Sequence, residues 1–150
     1  MDGFDVNTVI ALIAETGVDM SKFKTSSHFA SWLRLCPNPS ISGGKILGYK
    51  KSTSSSRAAK ALRLAAQSLH SSKGYLGQKF RSIAYKKGNQ VAIKAVAHKL
   101  AIIYYTMLSN KQDYRRENME EMNKRNERAM VKSLENKAKK LGYSIVKVAA

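Results

Sequence analysis

A chain of 150 residues with 27 Lys+Arg against 10 Asp+Glu carries a formal net charge of +17. That length suits one domain, or a small domain with an extended helical arm, and that charge asks for an acidic partner. No uninterrupted run of 18 apolar residues would span a bilayer and no signal-peptide pattern opens the chain, while the single Cys36 cannot form an internal disulfide, which fits a reducing cytoplasm.

The charge is unevenly placed. Residues 1–20 hold Asp2, Asp5, Glu15 and Asp19 with no Lys or Arg, and residues 113–150 hold ten basic and six acidic side chains. Between Lys22 and Gln112 stand seventeen Lys and Arg and no Asp or Glu, so the middle carries +17 and the two ends cancel. Solvated helical surfaces normally mix both signs, because opposite charges at i,i+4 support a helix and like charges oppose it. A one-sign stretch of this length is tolerable when a polyanion neutralises it, which points to a nucleic acid. A membrane surface would call for a basic amphipathic helix with a bulky apolar face, and none stands out.

In chain order, residues 5–16 predict a helix with Val6, Val9, Ile10 and Ile13 on its apolar face and Gly17 as its stop. A second short helix is expected from Ser26 to Leu35, capped by Ser26 or Ser27, with Phe29, Trp32 and Leu33 on its apolar side. Two such helices resemble a helix-hairpin-helix unit, whose backbone N–H groups meet a phosphate; an ordinary helical hairpin fits equally. Pro37 and Pro39 end the helical pattern, and Ser40 to Lys45 reads as a loop freed by Gly43 and Gly44. Ile46, Leu47 and Tyr49 suggest a brief extended segment, followed by the polar, basic run Lys50 to Ser56.

From Arg57 the pattern is helical again, with Ala58, Leu62, Ala65 and Leu69 on one face, an N-cap among Ser54 to Ser56, and Gly74 as its end. Its alanines make a slim surface that lets another helix approach closely. A further helix runs from Leu76 to Lys87, ended by Gly88-Asn89. Gln90 to Leu108 is apolar on most sides and predicts the central buried helix. Residues 112–141 are highly charged, with a thin seam of Met119, Met122, Met130, Leu134, Ala138 and Leu141, as in a long helix docked along an edge or paired with another chain. Ser144 to Val148 suggests a short strand or a frayed end. The expected organisation is mainly α: a helix-hairpin-helix-like part at 1–36, a helical core at 37–110 that opens with the Pro/Gly loop, and a charged helical arm and tail at 111–150.

Several chemistries fail on residue type. A two-metal nuclease site needs clustered Asp or Glu, which the central segment lacks, and paired-carboxylate acid–base chemistry fails likewise. The N-terminal and C-terminal acids read as solvated helix faces. His28, His70 and His98 are widely separated and have no metal-ligand spacing with Cys36; His98 reads as a core or interface residue. Cys36, beside Pro37, reads as a small buried hydrophobe rather than a nucleophile. The segment before Lys45 is no NTPase phosphate loop, since Pro39 takes the place of the first glycine and Ile46 that of the hydroxyl residue. One nucleophile survives: Ser42, followed by Gly43, Gly44 and Lys45. Glycine N–H groups approach an anion closely, and a neighbouring ammonium favours a serine alkoxide and a phosphorane-like transition state.

The run HFASWLRLCPNPSISGGKILGYKKSTSSSRAAKALRLAAQSL from His28 to Leu69, continued by LGQKFRSIAYKKGNQVAIKAVAHKLAIIYYTML from Leu76 to Leu108, resembles the C-terminal domain of the transposases of insertion sequences 110, 116 and 902. With the upstream segment from Gly3, the resemblance spans roughly residues 3–114. It implies a serine nucleophile, carried onto Ser42 with Ser40 as the fallback, and phosphate contacts for Gly43, Gly44, Lys45, Lys50, Lys51, Arg57 and Arg63. It further implies a RuvC-like domain whose acidic residues hold Mg2+, a guide RNA, a homo-oligomer without membrane attachment, and a cytoplasmic, nucleoid-associated location. No such acidic domain lies in this sequence, so the resemblance implies a truncated copy, inactive on its own and with no cofactor of its own. Against the transposase reading stands a non-catalytic, basic nucleic-acid-binding protein.

Overall fold

The computed structural model of the protein describes residues 3–49, 56–114 and 119–146. These divide into two compact units, residues 1–115 and 116–150. In the first, helices α1 (Val6–Thr16), α2 (Ser26–Trp32), α3 (Arg57–Ser68), α4 (Tyr75–Lys87) and α5 (Asn89–Asn110) surround one core, with a hairpin of β1 (Pro39–Ser42) and β2 (Lys45–Tyr49) between α2 and α3. The second contains α6 (Met119–Lys140). The protein is mainly α.

Each of the first three helices starts on an oxygen acceptor. The Asp5 carboxylate accepts from Thr8 N–H at 2.8 Å, the Thr25 hydroxyl from His28 N–H at 3.2 Å, and the Ser56 hydroxyl from Ala59 N–H at 3.1 Å. Such caps satisfy backbone donors that no helical turn reaches. Thr25, rather than Ser26 or Ser27, caps α2, because the β-region backbone that a cap needs falls at Thr25 (φ −148°, ψ 161°).

Helix α5 is central, packed upon by α2, α3 and α4. It is the one described helix long and apolar enough to cross a bilayer, with a mean hydropathy of 1.4 over its best window. Here Ala92, Val96, Ala97, Leu100, Ala101 and Tyr104 are buried against neighbouring helices. Opposite them α3 buries Ala58, Ala59, Leu62, Ala65 and Ala66, so the slim alanine surface does bring a second helix close.

The buried face of α1 differs from the one its apolar residues suggest. Val6 and Ile10 are 73% and 59% exposed, whereas Thr8, Leu12 and Thr16 are buried towards α3. Apolar residues surround this helix, so periodicity alone does not choose a face. Threonine is acceptable inside because its hydroxyl finds an acceptor: Thr16 donates to Leu12 C=O at 2.8 Å. Thr16 Oγ1 also lies 3.3 Å from the Tyr104 hydroxyl, joining α1 to α5.

An aromatic cluster fastens α2 to α5. The Phe29 ring lies 6.0 Å from Tyr104, 5.9 Å from Tyr105 and 5.0 Å from Phe23, and the Tyr105 hydroxyl donates to Phe23 C=O at 2.8 Å. Trp32 stays half in solvent at the margin of this cluster. The principal neighbour of α1 is therefore α3 and that of α2 is α5, and the two helices do not pair chiefly with each other.

Helix α3 ends at Ser68 and passes into a 3-10 turn at Leu69–Ser71, so Gly74 does not close it; Gly74 is the N-cap of α4. There the chain doubles back tightly. A Cβ on Gly77 would stand 2.1 Å from Ser72 O and 2.8 Å from Leu69 O, both backbone atoms. The Arg81 guanidinium secures the same turn, donating to His70 C=O at 2.9 Å and Ser72 C=O at 2.7 Å. Residues 144–146 form no strand, and Val148 lies outside the described residues. Gly77→Ala is expected to destabilise the protein by about 1–3 kcal/mol, since its methyl group forces the α4 backbone away from the turn. Urea unfolding followed by circular dichroism checks this.

Candidate nucleic-acid interface

The segment from Pro39 to Tyr49 is a β-hairpin, where the sequence suggests a loop and a separate extended piece. Ile41 pairs with Ile46 and Ser42 with Lys45, leaving Gly43-Gly44 as a two-residue connection. Their φ angles of 56° and 73° are both left-handed, as the type I′ turn favoured in two-residue hairpins requires. A turn of this kind sets the strand register, which brings the scattered Ile41, Ile46 and Tyr49 into one element. The register shifts between Ser40 and Ile41, so that Ser40 faces Gly48 and Leu47 is the extra residue of a bulge.

Strand alternation then sorts the side chains. Ser40, Ser42 and Lys45 share one face of the hairpin, and Ile41 with Ile46 takes the other. The base is half-buried at Pro39, Ser40 and Gly48, and the tip from Ile41 to Leu47 is exposed. The structure thus presents Ser42, Gly43, Gly44 and Lys45 together on an accessible turn. Nothing surrounds the two glycines: a Cβ at either would meet no atom within 4 Å. They are free for close approach by another molecule.

The remaining candidates divide. Lys50 and Lys51 lie outside the described residues. Arg57, the first residue of α3, is exposed. Arg63 is half-buried and already has an interaction partner within the protein, so the two arginines do not form one equivalent pair. Lys60 is exposed three residues after Arg57 and shares its solvent stripe with Leu64 and Gln67. Helical spacing would have added Lys60 to the basic set.

The start of α3 is already occupied by an anion of the protein itself. The Glu15 carboxylate accepts from Ala58 N–H at 2.6 Å beside the Ser56 cap. Glu15 is therefore more than part of a solvated face. Hydrogen bonds from the Thr8 side chain and backbone hold the Asp5 carboxyl below its ordinary range, and those from Ser21 do the same for Asp19. Burial pushes the Cys36 thiol and the Tyr104 hydroxyl up, which makes Cys36 a poor thiolate source. Among the described residues no three His, Cys, Asp or Glu side chains gather as a metal would need.

With this geometry in place, comparison with known proteins identifies the lineage. The chain belongs to the Transposase IS116/IS110/IS902 family, whose family model matches residues 1–81, from α1 through the hairpin and α3 into the first half of α4. No curated protein and no solved structure matches it.

Two outcomes are expected. Gly44→Val should open the hairpin, because a β-branched residue strongly disfavours the left-handed region and two strands alone are marginally stable. Cross-strand nuclear Overhauser contacts between Ile41 and Ile46 would be lost while the helical circular dichroism persists; Gly44→Asn, compatible with the turn, would keep them. His98 is held below its ordinary pKa of 6.5 by burial, so the unfolded chain takes up that proton first. Its contribution to stability is full above about 6.5 and falls as pH drops towards the folded-state value. Urea unfolding at about pH 7.5 and 5.5 should show this loss shrinking in His98→Gln.

Proposed function

We propose that this transposase-family chain binds DNA through its carboxylate-free basic segment and that Ser42 is a strand-transfer nucleophile presented on the hairpin turn. The observation that carries the reading is the pairing of Ser42 with Lys45 across an exposed Gly-Gly turn. Attack of Ser42 Oγ on a backbone phosphorus forms a phosphoserine ester. One bridging P–O bond breaks, the serine proton passes to water at the exposed turn, and the departing oxygen takes up a proton from water. The Gly43 and Gly44 N–H groups and the Lys45 ammonium support the extra negative charge on the phosphoryl oxygens, and Arg57 and Lys60 hold the adjoining backbone. The family resemblance assigns Mg2+ to an acidic domain and target choice to a guide RNA. A cytoplasmic, nucleoid-associated location goes with this role.

A non-catalytic nucleic-acid-binding role rests on the same charge distribution, with Ser42 only shaping a phosphate-contacting turn. Incubating the chain with the family's metal-binding domain, Mg2+, guide RNA and DNA separates the two readings. A covalent protein–DNA adduct resistant to denaturant is expected for the wild type and none for Ser42→Ala; an adduct unchanged by Ser42→Ala overturns the nucleophile assignment. Affinity should fall steeply with salt, by about 0.9 in log K per log unit of salt for each phosphate contacted in duplex DNA. Lys45→Ala and Lys60→Ala should each reduce that slope by roughly one contact. A flat salt dependence would exclude both readings.

A further inference from the structure

The hairpin is polar on one face and apolar on the other, and its bulge sets the make-up of the apolar face. Ser40, Ser42 and Lys45 share the first face. On β2, Ile46 and Tyr49 are three residues apart, a spacing that puts side chains on opposite sides of a regular strand. Leu47, the extra residue of the bulge, shifts the alternation. Tyr49 opposite Pro39 and Ile46 opposite Ile41 therefore come to the same side. Ile41, Ile46 and Tyr49 are 62%, 58% and 66% exposed. Three large hydrophobic side chains are thus gathered on one face of a two-stranded ribbon and left in water. Scattered single ones would need no explanation; a gathered set marks a surface that something else covers.

The charge around the hairpin identifies what covers it. The ribbon lies inside the carboxylate-free segment, with Lys45 exposed at its turn and Arg57 and Lys60 exposed on the helix that follows. A nucleotide offers the matching pair of surfaces, an anionic phosphate and the apolar face of a base, within one unit. A duplex hides its base faces in the stack. The apolar side of the ribbon reaches them by entering between two base pairs, as Ile and Leu do in proteins that kink DNA. Ile41 and Ile46 stand directly across the ribbon beside the turn, about 5 Å apart at Cβ, and form a single blade.

We propose that the Ile41–Ile46 pair is an apolar wedge that enters a base step of the bound DNA and unstacks it. The inference rests on the DNA-binding half of the function proposed above and not on Ser42 as nucleophile. Unstacking lengthens the backbone locally, so a phosphate beside the opened step reaches the Ser42 and Lys45 face of the same ribbon.

The test compares affinity of the full chain for a short duplex with one central mismatch and for the fully paired duplex at equal salt. A mismatch has already lost part of the stacking that the wedge must break. The wild type should bind the mismatched duplex about tenfold more tightly. Ile41→Thr with Ile46→Thr should bring that ratio to about one and leave the salt slope unchanged. Ile41→Val with Ile46→Val should keep most of the ratio, because valine and threonine share shape and strand preference and differ by the hydroxyl. Cross-strand nuclear Overhauser contacts between Ser42 and Lys45 report whether the hairpin persists; should the threonine pair open it, Ile41→Thr alone against Ile41→Val alone carries the comparison. Equal affinity of the wild type for the two duplexes overturns the proposal, as does the same ratio in the valine and threonine variants. Salt-sensitive binding without a mismatch preference sinks the wedge alone, whereas no salt-sensitive binding to either duplex sinks the DNA-binding reading and the wedge with it.

Discussion

The close approach of α3 and α5 is the contact from which the rest of the first unit is hung. Alanines buried on both helices remove bulk from the contact between them. Helix α5 must then be apolar on its other sides as well, because α2 and α4 cover them. That requirement accounts for its bilayer-like hydropathy: a helix wrapped by neighbours and one wrapped by lipid need similar side chains. With α3 fixed on α5, α1 is fixed on α3, and the Glu15 carboxylate ties the end of α1 to the start of α3.

Much of this was legible from residue types. Alanine spacing located the tight helix contact, and the apolar run located the central helix. Where the sequence misled, several solutions shared one pattern. Val6, Ile10 and Ile13 are as apolar as a core face, but Thr16 could take that place because the helix supplies its hydroxyl with the Leu12 carbonyl, and Thr8 because its side chain meets the Asp5 carboxylate. Gly74 looks like a helix stop, yet a glycine with extended backbone serves equally as the next helix's N-cap. Gly77 gave no signal at all, since its need is set by Leu69 and Ser72 carbonyls that only the folded turn brings near.

The candidate site was legible in composition and not in form. Ser42, Gly43, Gly44 and Lys45 stand out as residues, but a Ser-Gly-Gly-Lys run is compatible with any flexible loop. What gives it shape is pairing: Ile41 against Ile46 fixes the register, and the two left-handed glycines then have to form the turn. Register also explains why Ser40 and Ser42 compete for one role, since residues two apart on a strand face the same side. Lys60 was missed for the opposite reason. It lies on a helix, where the neighbour of Arg57 is three residues along rather than adjacent in the chain.

The placing of carboxylates separates two kinds of surface. In the first unit the N-terminal acids are engaged locally: Asp5 caps α1, Asp19 binds Ser21, and Glu15 answers an N–H of α3. Their negative charge is therefore partly balanced by backbone donors, which limits how far it opposes an approaching phosphate. Across residues 22–112 no acid remains to compete for the lysines and arginines, a state that costs self-repulsion until a polyanion arrives. In α6 both signs return, interspersed along the helix. A segment that meets a uniform polyanion has no use for acidic side chains, whereas a solvated helix gains from mixing the two signs. The 150 residues thus hold two charge patterns, one uniformly basic and one in which the signs are mixed.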